Sequence, residues 1–185
     1  MHLPDKIRAF VPLNAQEAAD RVLMLRHLAR YDDLLTRENP VMHFTASAWV
    51  VSPDREQVLM VYHNIYRSWS WTGGHADGEE DLLSVALREV REETGLTIED
   101  PRLCGVKQFQ TESGARYVVF FYRATRYTGK LQSSDEGEVF WISREELRQR
   151  QCVSDLDKMM EVMESPELNE FFYYPNGDQW GLRLL

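Results

Sequence analysis

The chain has 185 residues, 43% of them hydrophobic and 28% charged, a balance that suits one globular domain with a short appendage and excludes a disordered, fibrous or repeat protein. Its 21 Lys and Arg stand against 30 Asp and Glu, a net charge of −9, which argues against a nucleic-acid polymer as partner and demands a local basic patch for any small anionic substrate. Cys104 and Cys152 sit in neither zinc nor redox spacing, the opening Met1-His2-Leu3-Pro4-Asp5-Lys6 lacks the apolar core of a secretory signal, and no apolar run reaches membrane-spanning length, so a cytoplasmic protein with no membrane partner is expected.

Ala18, Val22, Leu25, Leu28 and Leu35 recur at helical intervals, and Asn14 followed by Glu17 resembles a capping box, so residues 14–35 predict an amphipathic helix. Arg37-Glu38-Asn39-Pro40 ends it, because proline disfavours helical backbone at Asn39 and carries no N–H. Residues 43–51 and 57–63 are rich in β-formers and flank the turn-prone Ser52-Pro53-Asp54-Arg55, which predicts two strands joined in the manner of a hairpin. A short strand is expected over 68–72, and the three glycines in 73–78 predict a loop.

A helix is expected over 80–94, with Leu83, Ala86, Leu87 and Val90 as its buried stripe and Gly95 at its C-cap. Strands follow over 103–110, 117–124 and 139–142, then helices over 144–150 and 155–164. The last stretch holds Phe171 to Tyr174, Pro175-Asn176-Gly177-Asp178 and Trp180 to Leu185, and reads either as a hairpin turning at Asn-Gly or as a docked tail. The parse is an α+β protein with an N-terminal helical extension (1–40), a main domain (41–170) and a C-terminal tail or hairpin (171–185). The apolar stripe of the extension needs cover, either from the domain or from a second subunit in a homodimer.

The densest signal is Gly74, five residues, Glu80, seven residues, then Arg88-Glu89-Val90-Arg91-Glu92-Glu93-Thr94-Gly95-Leu96. Glu89, Glu92 and Glu93 stand at i, i+3 and i+4 and so share one helical face. Three carboxylates there repel one another unless a cation neutralises them, and oxygen ligands suit a hard divalent ion such as Mg²⁺ or Mn²⁺. Glycine lets the backbone come close to a ligand, so the carbonyl of Gly73 or Gly74 can add a further oxygen.

This run resembles the signature of the Nudix hydrolases at all nine of its constrained positions. With seven identities required, a chance match at one starting point has a probability on the order of 10⁻⁹. The resemblance implies an α/β/α sandwich with a mixed β-sheet. It also implies metal-dependent hydrolysis of a nucleoside diphosphate linked to some moiety X, with a small nucleotide as partner. By the same resemblance Glu89, Glu92 and Glu93 hold metal, with Glu89 or Glu93 as general base; the residue before the signature glycine, Gly73, lends its carbonyl; and Arg88 and Glu80 fix the geometry of loop and helix. An acid from outside the signature is expected in the loop 133–138, with Glu138 ahead of Glu136.

Lys107, Arg116, Arg123, Arg126 and Lys130 supply positive charge after the signature, of which Lys107 and Arg116 are expected to bind substrate. Tyr66, Trp69 and Trp71 lie just before it, and Tyr66 and Trp71 are the expected stacking surfaces for a nucleobase. The segments Gly105-Val106-Lys107-Gln108-Phe109, Arg116-Tyr117-Val118-Val119-Phe120-Phe121 and Glu138-Val139-Phe140-Trp141 look like those of sanitising nucleoside triphosphate pyrophosphohydrolases, which remove oxidised purine triphosphates. That resemblance favours hydrolysis of an oxidised dGTP to monophosphate and pyrophosphate. ADP-ribose, nucleotide sugars and dinucleoside polyphosphates are the alternative substrates, a non-catalytic nucleotide sensor is the alternative class, and the isopentenyl diphosphate isomerase branch ranks last because Cys104 and Cys152 do not match its arrangement.

Overall fold

The computed structural model describes residues 2–111, 113–177 and 179–185. In chain order the first elements are α1 (Leu3–Ala9), α2 (Ala15–Leu28), β1 (Met42–Val50), β2 (Gln57–His63), β3 (Ser68–Ser70), β4 (Thr72–His75) and α3 (Leu82–Thr94). They continue with β5 (Leu96–Glu99), β6 (Arg102–Gln110), β7 (Arg116–Ala124), β8 (Arg126–Gly129), β9 (Gly137–Ser143), α4 (Arg144–Leu147), α5 (Leu156–Glu164), β10 (Glu170–Asn176) and β11 (Gln179–Leu184).

Strand β1 is buried along all nine residues because both its edges are taken. It runs parallel to β7 and antiparallel to β4 within a six-stranded mixed sheet of order β11-β10-β6-β7-β1-β4. The pleat sends alternate side chains to opposite faces. One face carries Phe44, Ala46, Val118 and Phe120, which pack against α1, α2 and the start of α3 through Leu3, Ile7, Met24, Leu82 and Val85. The other carries Trp49 and Phe121, which pack with β2, β9 and α5 through Met60, Ile142, Met159 and Met163. Strands β3-β2-β9 form a second sheet and β5-β8 a small third one. The result is the expected mixed α+β architecture.

The expected hairpin between the first two strands does not extend along them, and β1 and β2 lie in different sheets. The hairpin is confined to its turn, where Val51 bridges Val58 in antiparallel fashion and the Ser52 N–H donates to the Gln57 carbonyl at 2.9 Å; beyond that β2 pairs with β3 and β9, since β4 and β7 already occupy both edges of β1. The expected loop over 73–78 is a strand as far as His75, because Ser47 and the box helix approach the glycines closely enough to hold them in the sheet. Helix α3 follows the expectation closely, with Gly95 at φ 72° closing it, although Leu82 and Val85 are buried where Leu83 and Leu87 are only half-buried. The C-terminal stretch is a hairpin whose first strand joins the main sheet through β6; Asp178 of its expected turn, like Met1 of the opening segment, lies outside the described residues.

The N-terminal extension differs more from expectation. Asn14 does cap α2 by accepting from the Glu17 N–H at 2.9 Å, while the Glu17 carboxylate reaches back one residue further than a capping box, to the Leu13 N–H. The helix stops at Leu28 rather than near 35, and Val22 is 61% exposed whereas Glu17, Asp20 and Met24 are buried. The reason lies beneath it. Glu170 of β10 lies buried beneath it, its pKa raised by burial and by Asp20; one of its oxygens accepts from Gln108 Nε2 at 2.7 Å and the other has no hydrogen-bond partner among the described residues, so part of the helix covers a polar patch of sheet.

The extension also straps the loop before α3. His2 contacts Glu80 at 2.6 Å, Lys6 donates to Asp81 at 2.7 Å, Arg37 binds both oxygens of Asp77 at 2.7 and 2.8 Å, and the Leu35 carbonyl accepts from the Gly78 N–H at 2.8 Å. Such exposed ion pairs contribute little energy. The hold comes from the buried Leu3, Ile7 and Leu34, each contributing about 1.5–3 kcal/mol by burial, and the charged contacts set the register.

Candidate active site

The site is built where β4 meets α3. Glycine at 74 is required by space: a Cβ there would lie 2.4 Å from Glu89 Oε2 and 2.5 Å from its carboxyl carbon, so the Glu89 carboxylate rests on bare backbone. Glu93, one turn further on, is 4% exposed and accepts from the Gly73 N–H at 2.9 Å through Oε1. Arg88 donates to Glu89 at 2.8 Å and to the His75 carbonyl at 3.3 Å, which ties helix, carboxylate and strand together. Glu80 lies in the strapped loop, on His2.

Burial governs the electrostatics. Desolvation pushes Glu93 up to about 8, opposed by the Gly73 N–H and reinforced by the charges of Glu136 and Glu89. Glu89 is raised for the same leading reason, with Arg88 pulling the other way. His75 is lowered by burial and by the Arg37 guanidinium beside it. Glu92 is exposed and lines a cavity of about 610 Å³ at the C-terminal end of α3, together with Arg91, Lys130, Ser134 and Asp135.

The donor set suits a divalent cation. Two desolvated carboxylates face the edge of β4, Glu93 has no cationic side chain against it among the described residues, and hard oxygen ligands are what Mg²⁺ and Mn²⁺ take. Among the described residues no three acidic, histidine or cysteine side chains close into a ring around an ion. Of the acids outside the signature, Glu138 lies exposed within β9 opposite Tyr62, whereas Glu136, in the loop before it, is the one whose charge reaches Glu89 and Glu93.

The expected substrate-binding residues separate. Lys107 and Trp71 come together, with the ammonium 5.8 Å from the indole centroid. Arg116 projects from the opposite face of the sheet and donates to Gln108 Oε1 at 3.2 Å. Tyr66 is 71% exposed in the loop after β2, against His63. Arg123 is bound to the carbonyls ending α5, and Arg126 is paired with Glu99 and Asp100. Sequence reading passed over His43, Tyr117 and Phe109, which stack in parallel across three strands with centroids 4.6 and 5.0 Å apart. Their adjacency depends on register between strands far apart in sequence.

The family model for the NUDIX domain matches residues 42–163, and the chain belongs to the Nudix hydrolase family. It is 35% identical over 91 residues to an uncharacterized Nudix hydrolase, YvcI, of Bacillus subtilis, covering 46% of this chain and 58% of that protein. It is 28% identical over 128 residues to the 8-oxo-dGDP phosphatase NUDT18 of Danio rerio, covering 63% of this chain and 38% of that one. Among solved structures, the MutT protein of Bacillus halodurans superposes with a TM-score of 0.62 at 25% identity, over 76% of this chain and 97% of its own. The NUDIX domain of Shewanella oneidensis NrtR, solved with ADP ribose, shares the fold at a TM-score of 0.59 and 20% identity, over 74% and 94%. No helix among the described residues is long and apolar enough to cross a membrane.

Proposed function

We propose that this chain is a metal-dependent nucleoside triphosphate pyrophosphohydrolase of the kind that removes oxidised dGTP, giving the monophosphate and pyrophosphate. The observation that carries the reading is the complete signature, with Glu89 resting on Gly74 and Glu93 buried beside Gly73 at one end of an aromatic-walled sheet face. Likeness to an 8-oxo-dGDP phosphatase supports an oxidised guanine nucleotide as substrate.

In this reading Glu89, Glu92 and Glu93, with the Gly73 carbonyl, hold Mg²⁺ or Mn²⁺. When bound, the ion neutralises phosphate charge and lowers the pKa of water. Arg88 orients Glu89 by their 2.8 Å contact and keeps it on Gly74. Glu93 spends Oε1 on the Gly73 N–H, which leaves Oε2 for the metal or for the proton of attacking water. Glu89 is the second candidate for that role.

The test is release of phosphate or pyrophosphate with Mg²⁺ or Mn²⁺ across nucleoside triphosphates, 8-oxo-dGTP, 8-oxo-dGDP, ADP-ribose, nucleotide sugars and dinucleoside polyphosphates, with Glu92→Gln as control. Metal-dependent release of pyrophosphate from 8-oxo-dGTP, lost in the variant, is expected. Turnover confined to ADP-ribose or another member of the panel transfers the reading to that substrate. Nucleotide binding without any turnover makes the chain a sensor.

A further inference from the structure

Lys107 is a half-buried cation that no carboxylate among the described residues pairs with. Its ammonium lies 5.1, 5.4 and 5.8 Å from the ring centroids of Phe109, Phe171 and Trp71. Burial lowers its pKa to about 8, and only the more distant charge of Asp155 opposes that, a carboxylate already bound to the Tyr173 hydroxyl. A lysine inside an aromatic cage loses hydration, and cation–π attraction returns only part of it. Among the described residues its three N–H donors therefore have no oxygen acceptor.

The sheet register says where that acceptor comes from. Lys107 pairs with Val119, Val119 with Thr45, and Thr45 with His75 of the signature, so the four side chains form one row on one face. Three strand spacings separate its ends, roughly 14 Å, a distance that an extended nucleotide covers. The neighbouring row is Phe109, Tyr117 and His43, with rings stacked at 12° and 2°. On the other side stand Trp71 and Phe121, edge to face at 5.4 Å. The floor of this furrow is small, Val119 and Thr45, and its walls are aromatic. On the nucleotide reading, phosphates belong at the carboxylate end, which leaves the aromatic end with Lys107 for the base.

We propose that Lys107 is a specificity-determining residue that donates a hydrogen bond to the exocyclic carbonyl oxygen of an oxopurine seated in this furrow, so that the site selects a keto base over an amino base. The proposal rests on the nucleotide reading above and adds the residue that reads the base and the atom it reads. An ammonium can only donate. Facing the 6-oxo group of guanine or hypoxanthine it makes a charge-assisted bond, while facing the 6-amino group of adenine it meets another donor and remains unpaired. The difference expected from such a bond is about tenfold to a hundredfold.

Inosine and adenosine monophosphates isolate that atom, since hypoxanthine lacks the 2-amino group of guanine. Calorimetric titration of each in metal-free buffer reads the base subsite independently of turnover. The wild-type protein is expected to bind IMP at least about tenfold more tightly than AMP, Lys107→Met to reduce the ratio to about twofold or less, and Lys107→Arg to restore part of it. Equal affinities in the wild type, an unchanged ratio in Lys107→Met, or no binding of either nucleotide would overturn the proposal. Selective IMP binding without hydrolysis of any substrate in the panel would sustain it while refuting the hydrolase reading. Hydrolysis of ITP and ATP at equal efficiency would do the reverse.

Discussion

Replacing Gly74 by alanine separates catalysis from stability, because the clash it creates falls on a carboxylate rather than on backbone. The new methyl would stand 2.4 Å from Glu89 Oε2, and ordinary contact at 3.4 Å requires that oxygen to retreat by about 1 Å. The end of a glutamate side chain moves cheaply, and alanine has less unfolded-state freedom than glycine to lose, so the change in stability should be within about 1 kcal/mol. A displacement of about 1 Å at a reacting centre costs on the order of a hundredfold in rate. Gly73→Ala is the contrasting case, since its methyl would lie 2.1 Å from Ser47 Oγ and 2.8 Å from the Ala46 carbonyl, where the backbone itself must shift. Thermal melts and kcat/KM on the best substrate of the panel, measured for both variants, distinguish the two. The expectation is a Gly74→Ala protein that melts normally and turns over about a hundredfold more slowly, beside a Gly73→Ala protein that is destabilised. A Gly74→Ala protein with more than about a third of wild-type activity would show that the seat of Glu89 on bare backbone does not matter to the reaction.

Three further outcomes follow from buried charge. Lys107 is depressed in the folded state, so its charged form is penalised at neutral pH and the penalty fades as pH rises from about 8 toward 10.5; Lys107→Met should therefore melt higher than wild type at pH 7, by about 2 kcal/mol after allowing for lost cation–π attraction, with the gap closing above pH 10. Glu170 is raised by burial and by Asp20, up to about 8, so its contribution is full below pH 4.5 and is lost as pH rises through the folded value. Glu170→Gln should match wild type in a melt at pH 5 and exceed it at pH 9, and equal behaviour at both would discount the raised proton affinity of Glu170. Arg144→Ala strips Glu164 of its Arg144 contacts at 2.6, 3.0 and 3.1 Å and leaves it, among the described residues, only the Trp49 Nε1 donor, which should cost about 1–3 kcal/mol in denaturant unfolding.

The box helix was legible because chemistry and local physics coincide there: Gly95 closes the helix, apolar residues give its buried face, and the carboxylates must occupy one side. The longer strands were legible from composition alone. Helix α1, with seven residues, is too short to display a period, and β5 and β8, with four each, offer no alternation to count. The hairpin between β1 and β2 stops at its turn, which adjacency in sequence could not foretell, since it says nothing about which partners already fill a strand's edges. Helix α2 misled for another reason, since its buried acids answer a polar patch assembled from β6 and β10, and no local pattern announces that. Lys107 was visible as one base among several, but its isolation among rings follows only from the register of three strands and the hairpin beyond them.

The strap between the extension and the loop before α3 bears on how such a protein diversifies. Nine positions of the signature are bound by stoichiometry and spacing, so drift within them is expensive. The partners that hold the loop's shape, His2, Lys6 and Arg37, lie 40 to 78 residues upstream and carry no such obligation. Variation in the extension can therefore retune the posture of the signature from outside it. A chimera that transplants residues 42–163 alone would carry the reactive groups and leave their tensioning behind.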